Sequence, residues 1–225
     1  MTRGSVIGVV PAAGIGSRIQ PLPCSKEVVR VGGRPVLDYL VERMRAAPCE
    51  EVRVVTRPEK TDVADRAGAL GAVVVEGHPP SVADSLLLGM EGLAPHDVVL
   101  FGFPDSIWEP VDGFAQLLGA LGEEREVVLG LFSTPELERS DVVVFAEPDR
   151  VTEVHVKPKR PPSELVWGCL AARVAALKGV EDYGEPGRFL DGLAREGRVH
   201  GVRFGTEFVD IGTPETLALH AEVPS

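Results

Sequence analysis

The chain has 225 residues, of which 44% are hydrophobic and 25% are charged, and its formal net charge is -11. This composition is typical of a folded globular protein and excludes a disordered or collagen-like chain. The acidic balance argues against nucleic-acid and anionic-membrane partners, so we expect neither. The length suits a single α/β domain with a substantial buried core.

The cysteines and the first residues indicate the compartment. Cys24, Cys49 and Cys169 lie far apart and show no spacing of a disulfide framework or a zinc site. The chain opens without a signal-peptide pattern, and no stretch approaches eighteen consecutive apolar residues. We therefore expect a cytoplasmic protein with reduced thiols. We expect Cys24 to be a small apolar filler, and a functional Cys24 is the alternative.

The first predicted strand, Val6 to Val10, leads into a loop of residues 11–27 with the sequence PAAGIGSRIQPLPCSKE. In an open α/β sheet, ligands bind just beyond the carboxyl ends of the strands. Gly14 and Gly16 allow the backbone to approach a ligand closely and to direct successive N–H groups at phosphate oxygens. This segment, called the phosphate loop below, is therefore a candidate anion-binding site.

Two cations support that interpretation. Arg18 offers a planar fork for phosphate, and Lys26 offers a mobile point charge. The loop is not a Rossmann fingerprint, because Ile19 replaces the third glycine and Pro21 and Pro23 prevent the helix that should begin there. It also lacks the Gly-Lys-Ser/Thr of a Walker A loop. The alternative is a tight turn with two surface cations, but the combined spacing favours phosphate binding.

Beyond the loop, apolar residues alternate between helical and strand spacing. The predicted elements are an extended piece from Val28 to Val31, a helix from Pro35 to Met44, a strand from Val52 to Val55, a helix from Asp62 to Leu70, a strand from Ala72 to Val75, a helix capped by Ser81, a strand from Asp97 to Asp105, a helix from Asp112 to Leu121 and a strand from Glu126 to Phe132. This alternation predicts parallel strands joined by right-handed crossovers.

The pattern then changes to strands in succession, which predicts a mixed sheet or a small subdomain packed at the crevice. The predicted elements are strands from Asp141 to Ala146, Val151 to Val156 and Leu165 to Ala171, helices from Val174 to Leu177 and Gly187 to Arg195, and a strand from Val199 to Phe204. Thr213 and Pro214 fit the N-cap and first position of a final helix.

The phosphate loop resembles the signature of the sugar-1-phosphate nucleotidyltransferases, which reads roughly Gly-x-Gly-Thr/Ser-Arg, then a proline, then a lysine. The Pro-Ala-Ala-Gly at its start and the Lys-Glu at its end are most similar to the glucose-1-phosphate uridylyltransferase and thymidylyltransferase branches. The resemblance implies catalytic roles for Arg18 and Lys26. It also implies that the nucleotide is bound by Ala12, Ala13, Gly14, Gly16 and Ser17.

Two aspartates are candidate metal ligands. Asp105 ends a predicted strand, where a carboxylate can hold a hard divalent cation or serve as a turn or N-cap residue. It resembles the metal aspartate of the family's Gly-Asp-Asn or Pro-Asp-Thr. The segment FVDIGTPE resembles the family's Trp-x-Asp-x-Gly-Thr-Pro-Glu, in which the aspartate is the second ligand. The resemblance therefore implies Mg²⁺ held by Asp105 and Asp210, and predicts that the two converge.

One departure from the family concerns the nucleobase. Where related enzymes read Gly-Leu-Ala-Gln-Ala and the glutamine contacts the base edge, this chain has Asp84 in SVADS. A carboxylate can accept from the imide N–H of uracil or thymine, or from the exocyclic amine of cytosine or adenine. The alternative is a first-turn acid favoured by the helix dipole.

A second departure concerns the acceptor. The segment VHVKP resembles the family's Glu-Glu-Lys-Pro, in which the lysine meets the sugar 1-phosphate and the glutamate before it meets sugar hydroxyls. Lys157 matches the lysine, whereas Val156 replaces the glutamate. Gly168 matches a glycine whose backbone lies against the sugar. A solvated cation at Lys157 and a bulge or close packing at Gly168 are the alternatives.

The resemblance implies an α/β fold, a Rossmann-like three-layer α/β/α domain with a mixed, mostly parallel central sheet and a small sugar-binding β subregion. Residues 1–135 would form the nucleotide-binding part, residues 136–210 the sugar-phosphate part, and residues 211–225 a C-terminal helix. The implied reaction transfers a nucleotidyl group from a nucleoside triphosphate, with dTTP or UTP favoured, to a sugar 1-phosphate. A cytidylyltransferase acting on an alcohol phosphate or phosphocholine and a non-catalytic nucleotide-binding regulator are the alternatives. Base, sugar, regulation and oligomeric state, monomer or dimer, do not follow from the sequence.

Overall fold

The computed structural model describes residues 4–220. Its strands are β1 (Val6–Pro11), β2 (Arg30–Val31), β3 (Arg34–Pro35), β4 (Glu51–Thr56), β5 (Val73–Glu76), β6 (Val98–Gly102), β7 (Ser106–Ile107), β8 (Val127–Ser133), β9 (Asp141–Ala146), β10 (Arg150–Val156), β11 (Leu165–Arg173), β12 (Val199–Glu207) and β13 (Val209–Asp210). Its α-helices are α1 (Val36–Arg45), α2 (Thr61–Ala69), α3 (Val82–Met90), α4 (Gly113–Leu121), α5 (Pro186–Arg195) and α6 (Pro214–His220). Between residues 4 and 220, none of these helices has the length and apolar character needed to cross a membrane.

Nine strands form one mixed sheet in the order β5-β4-β1-β6-β11-β8-β12-β10-β9. The first half is parallel, since β1 pairs in that sense with β4 and β6, and β4 with β5. Strand β11 lies antiparallel between β6 and β8. The mixed sheet is thus confirmed, but β9 and β10 continue the main sheet through β12 instead of forming a separate subdomain.

The helices contribute to two buried apolar clusters. One contains side chains of α1, α2 and α4, such as Leu37 and Leu117, and the other contains side chains of α3 and α5, such as Leu86. Neighbouring residues of β1 alternate between them, with Val10 in the first and Val9 in the second, as expected for a strand buried on both faces. The carboxyl end of β1, where the phosphate loop begins, is therefore anchored from both sides.

Two predicted elements differ in form. The segment Val174–Leu177 is a turn of 3₁₀-helix instead of an α-helix. The N–H groups of Val174 and Ala175 donate to the carbonyl oxygens of Asp97 and Pro95, at 2.9 and 3.0 Å. The segment just before β6 therefore fixes the start of this turn. Residues Lys26–Val28, at the end of the phosphate loop, also form a 3₁₀ turn where the sequence predicted extended chain from Val28.

A small two-stranded sheet joins distant parts of the chain. Strands β7 and β13 are antiparallel, with Asp210 opposite Ser106. The N–H of Ile211 donates to the carbonyl oxygen of Asp105 at 2.9 Å. This pairing brings the segment that follows β6 against the segment that precedes α6. Each strand has only two residues, which is too short for a recognisable sequence pattern.

Candidate active site

The phosphate loop is held through its carbonyl groups. Nζ of Lys60 donates to the carbonyl oxygens of Ala12 and Gly14, at 2.7 and 2.9 Å. Nε of Arg57 donates to the carbonyl oxygen of Ala13 at 2.8 Å. Three consecutive carbonyl groups are thus fixed by two cations from the segment that follows β4.

The N–H groups of the loop are arranged differently. The N–H of Ala12 donates to the carbonyl oxygen of Val55 at 2.8 Å and extends the pairing of β1 with β4, so it serves the fold. Among the described residues 4–220, the N–H groups of residues 13–18 donate to no protein acceptor. Gly16 has a φ of 64°, which glycine adopts without strain. Backbone N–H groups in such a turn suit an anion.

Lys60 also neutralises a buried acid. Its Nζ lies 2.6 Å from Oε2 of Glu27, whose side chain is fully buried. Burial raises the pKa of Glu27, while Lys60 and then Lys26 act in the opposite direction. Sequence reasoning missed Lys60 and Arg57. The available signal was two basic residues directly after the predicted strand that ends at Val55, at the same edge of the sheet as the phosphate loop.

The last part of the loop is tied to α2. Asp62 accepts from the backbone N–H and the hydroxyl of Ser25, at 2.7 and 2.8 Å. This fixes the chain just before Lys26.

Burial, followed by the charge of Asp62, raises the pKa of the Cys24 thiol, so the protonated form is favoured, in agreement with a filler role. The loop lines a pocket of about 400 Å³ together with Arg57, Glu59 and Lys60.

Lys26 and Asp105 form an ion pair with 2.5 Å between Nζ and Oδ2. Burial would raise the pKa of Asp105, but Lys26 outweighs it and holds the pKa below its usual value. Burial would likewise lower the pKa of Lys26, but Asp105 and Glu27 outweigh it and raise the pKa. Both partners are therefore charged at neutral pH.

Asp210 lies beside this pair. Its Oδ1 accepts from the N–H of Gly212 at 2.7 Å. A Cβ added to Gly212 would lie 2.8 Å from Oδ1 of Asp210 and 3.0 Å from Oδ2 of Asp105, so the two carboxylates meet over this glycine. Burial, followed by the charge of Asp105, raises the pKa of Asp210 to about 6. The structure thus brings the two predicted carboxylates together.

The two carboxylates fit a hard divalent cation, which prefers oxygen ligands. Within residues 4–220, the structure brings together no group of three or more histidine, cysteine, aspartate or glutamate side chains that could hold a metal ion. Mg²⁺ commonly binds through one or two carboxylates plus substrate phosphates.

Arg18 and Ser17 are exposed on the loop, and the charge of Arg18 lowers the pKa of both aspartates.

Lys157 and Asp84 lie in other contacts. Nζ of Lys157 pairs with Oε1 of Glu185 at 2.8 Å, and its φ of 43° is unusual for a residue other than glycine. Asp84 belongs to the cap of α3, since its N–H donates to the hydroxyl oxygen of Ser81 at 3.1 Å and the hydroxyl donates back to its carboxylate. Asp84 is thus an acid in the first turn of α3, which is the alternative to base recognition, and it also hydrogen-bonds with the N-cap Ser81.

Gly168 also has a structural explanation. A Cβ added there would lie 2.2 Å from a ring carbon of Phe208, so only glycine fits beneath that ring. The pairing of β11 with β8 shifts register between Trp167 and Cys169. These are the bulge and the close packing that the sequence left open as alternatives to sugar binding.

Comparison with known proteins identifies the family of this chain. A family model described as a MobA-like NTP transferase domain matches residues 8–145, which include the phosphate loop, Lys60 and Asp105. The chain is 26% identical over 168 residues to the glucose-1-phosphate thymidylyltransferase of Neisseria meningitidis, covering 70% of this chain and 57% of the relative. It spans about half the length of the first curated relatives that it matches.

A relative from another branch matches over more of its own length. The 2-C-methyl-D-erythritol 4-phosphate cytidylyltransferase of Cronobacter sakazakii is 29% identical over 199 residues, covering 79% of this chain and 78% of the relative. Among solved structures, a Bacillus anthracis protein assigned as a glucose-1-phosphate thymidylyltransferase superposes with a TM-score of 0.84 at 19% identity, covering 96% of this chain and 93% of that one. A UDP-glucose pyrophosphorylase in complex with UDP-glucose has a TM-score of 0.79 at 17% identity, covering 94% and 95%. These structural likenesses show a shared fold, and the predicted nucleotidyltransferase family is confirmed.

Proposed function

We propose that this chain, which belongs to the family of MobA-like NTP transferase domains, transfers a nucleotidyl group from a nucleoside triphosphate to a sugar 1-phosphate. The observation that carries the proposal is the meeting of the phosphate loop with Lys26, Asp105 and Asp210 at one edge of the sheet. The loop offers N–H groups for phosphate, and the side chains offer one cation and two oxygen ligands. The thymidylyltransferase relative supports the choice of a sugar 1-phosphate as acceptor.

In this reaction, a phosphate oxygen of the acceptor attacks the α-phosphorus of the nucleotide. The bond from that phosphorus to the bridging oxygen breaks, and pyrophosphate leaves with the electron pair. A phosphate monoester is largely ionised at neutral pH, so no general base is required. The protein positions the two phosphates and neutralises the charge that accumulates between them.

The residues of the chain divide these tasks. The N–H groups of Gly14, Gly16 and Ser17 bind the triphosphate, and Arg18 holds the departing pyrophosphate. Lys26 neutralises the triphosphate, and Lys157 binds the acceptor phosphate. The carbonyl groups of the loop are already bound to Lys60 and Arg57, which leaves its N–H groups free to donate to the ligand.

Asp105 and Asp210 would hold Mg²⁺. The fit rests on their carboxylates, which meet over Gly212. Burial and the charge of Asp105 raise the pKa of Asp210, so an added cation would favour its ionised form. When bound, the metal supplies positive charge to the α-phosphate and the attacking oxygen. Asp105 already has Lys26 as a partner, so the acid that gains most from an added cation is Asp210.

The division of the chain belongs to the same proposal. Residues 1–135 bind the nucleotide and residues 136–210 bind the acceptor. The helix in 211–225 corresponds to α6 through residue 220, and residues 1–3 and 221–225 lie outside the described part. A three-layer arrangement is supported by the two buried clusters. In this proposal Asp84 contacts the base in addition to its hydrogen bonds with Ser81, and Gly168 contributes backbone to the sugar in addition to its packing under Phe208. Ala13 contributes backbone to the nucleotide.

A cytidylyltransferase acting on an alcohol phosphate is the second candidate. It is favoured by the Cronobacter sakazakii relative, of whose length the chain covers 78%. The acceptor phosphate attacks the α-phosphorus in the same way in both cases. The two candidates therefore differ in base and acceptor, not in the roles of the phosphate loop, Lys26 and Asp105.

The test is pyrophosphate release from matched pairs of substrates in the presence of Mg²⁺. The panel contains dTTP, UTP, CTP, ATP and GTP, each with the 1-phosphates of glucose, galactose, mannose and N-acetylglucosamine, and with 2-C-methyl-D-erythritol 4-phosphate. We expect release with dTTP or UTP and a sugar 1-phosphate. Release only with CTP and the alcohol phosphate supports the second candidate. Nucleotide binding without release from any pair would indicate a non-catalytic regulator.

A further inference from the structure

The far edge of the sheet carries a carboxylate that the proposed reaction has not used. Asp141 begins β9 and stands directly opposite Val156, the last residue of β10, in the antiparallel ladder. Residues directly opposite in such a pair direct their side chains to the same face of the sheet. Asp141 therefore lies on the face of Val156, next to Lys157.

The position of the carboxylate is fixed by its neighbours. A Cβ added to Gly187 would lie 2.2 Å from Oδ2 of Asp141 and 3.0 Å from Cγ2 of Val156. The start of α5 thus packs against both side chains, and only glycine allows it to come so close. Asp141 is half-buried and held by two strands and one helix, which is how a binding group is kept in one orientation.

The charges around Asp141 leave its carboxylate without an ion-pair partner. Within residues 4–220, no lysine or arginine forms an ion pair with Asp141, and Nζ of the adjacent Lys157 pairs with Glu185 at 2.8 Å. The charge of Lys157 and a hydrogen bond from its backbone N–H still lower the pKa of Asp141. The indole Nε1 of Trp167 is buried near Asp141 but makes no hydrogen bond of normal geometry. The site thus combines a carboxylate that can accept hydrogen bonds with a lysine that can bind phosphate.

Hydroxyl groups are the natural ligands of this arrangement. An ionised carboxylate only accepts hydrogen bonds, and a hydroxyl can donate one. Val156, which stands where the resemblance would place a hydroxyl-binding glutamate, can accept none. We propose that Asp141 binds hydroxyl groups of the acceptor whose phosphate is bound by Lys157, so that acceptor recognition rests on β9 instead of β10. This inference rests on the proposed function.

The cost of keeping this carboxylate agrees with a binding role. Burial is the main cause that raises the pKa of Asp141 to about 6, and Glu185 adds to it, while Lys157 opposes it. An ionised Asp141 is therefore unfavourable for the folded chain at neutral pH. A residue that lowers stability in this way commonly serves a functional site.

The test compares Asp141→Asn with wild-type protein by steady-state kinetics, using the acceptor of the panel above that wild-type protein turns over best. We expect the KM for that acceptor to rise at least tenfold and the KM for the nucleotide to change less than twofold. Asp65→Asn, which removes an exposed carboxylate of α2, is the matched control and should leave both KM values unchanged. Asp141→Ser is a second variant with the same expected result.

Inhibition by inorganic phosphate separates hydroxyl recognition from a general effect on the site. The inhibition constant of phosphate against the acceptor should stay within twofold of wild type in Asp141→Asn, because phosphate offers no sugar hydroxyl. An acceptor KM within twofold of wild type, or equal weakening of acceptor and phosphate, overturns the role of Asp141 while the proposed function stands. A wild-type protein that releases no pyrophosphate from any pair overturns both.

Discussion

The two halves of the proposed site are built in different ways. On the donor side, which comprises the phosphate loop, Lys60, Asp105 and Asp210, two of the cations are mostly buried, with Lys60 and Lys26 only 11% and 17% exposed. On the acceptor side, which comprises Asp141, Lys157 and Glu185, the ion pair is 48% and 43% exposed. Exposed ion pairs contribute little to stability, whereas breaking a buried one is strongly destabilising.

Under the proposed function, this difference would allow the fold to keep its reaction while its acceptor changes. A substitution on the donor side leaves a buried charge without a partner, so few residue types are tolerated there. Under the same proposal, a substitution at the exposed pair would change acceptor binding at little cost to folding. The two departures from the family, Asp84 and Val156, lie outside the donor side, as expected if substitutions are tolerated more easily there.

The largest expected effect is at Asp105. Asp105→Asn keeps the shape of the side chain but removes the charge that pairs with Lys26 and would bind the metal. We expect kcat to fall by about 10³, the upper range for losing one preorganised electrostatic contact in an active site. Pyrophosphate release measured over a range of Mg²⁺ concentrations is the readout.

Asp112→Asn is the control for this substitution, because Asp112 is an exposed aspartate at the start of α4. It should retain wild-type kcat. Full activity in Asp105→Asn would contradict the assigned role of this residue. A variant with reduced kcat but unchanged circular dichroism would show that the loss lies in the reaction and not in the fold.

The next largest effect is at Lys60. Lys60→Met breaks the contacts to the carbonyl oxygens of the loop and leaves Glu27 buried without its cation. We expect stability to fall by about 3 kcal/mol and nucleotide KM to rise on the order of tenfold as the N–H groups lose their fixed orientation. Urea unfolding and nucleotide titration measure the two quantities.

A second substitution separates these two effects. In Lys60→Met/Glu27→Gln, the buried charge is removed, so most of the stability should return while nucleotide KM stays high. Lys178→Met, at an exposed lysine, serves as the control and should change neither quantity. Unchanged nucleotide affinity in Lys60→Met would show that the loop does not depend on this clamp.

The smallest expected effect is the pH dependence of stability at Asp141. The groups that face it are Lys157 from the end of β10, Glu185 before α5 and Trp167 of β11. The folded-state pKa of Asp141, about 6, lies above the ordinary value of an aspartate. The protonated side chain therefore contributes to the free energy of unfolding at low pH, and this contribution is lost as the pH rises through 6. As the pH is raised from 4 to 8, the free energy of unfolding of Asp141→Asn should therefore increase by about 1–2 kcal/mol relative to that of wild type. Urea unfolding at several pH values measures this difference, and a constant difference would contradict it.

The sequence predicted those features that leave a long or periodic pattern. The strand into the phosphate loop, the parallel order of the first half and the successive strands β9 and β10 follow from apolar spacing. The cap of α6 also followed, since the hydroxyl of Thr213 accepts from the N–H of Thr216 at 3.1 Å. The nearness of Asp105 and Asp210 was predicted from motif resemblance, and not from spacing.

Other features could not be predicted, because they depend on contacts between distant residues. The insertion of β11 between β6 and β8 is decided by packing of the whole sheet, as is the ring of Phe208 over Gly168. The hydrogen bonds from Lys60 to Ala12 and Gly14 join residues that are 48 and 46 positions apart in the sequence. A cation after a strand is common in sequences, and only the fold shows which oxygens it reaches.

The pairing of Lys26 with Asp105 has a consequence for how the chain tolerates a buried acid. The carboxylate is neutralised from within the protein, by a side chain that can swing away on four methylene groups. At Asp105, an incoming divalent cation would therefore exchange with an internal counterion. In the proposed reaction, the ammonium group of Lys26 would then be free to donate to the triphosphate.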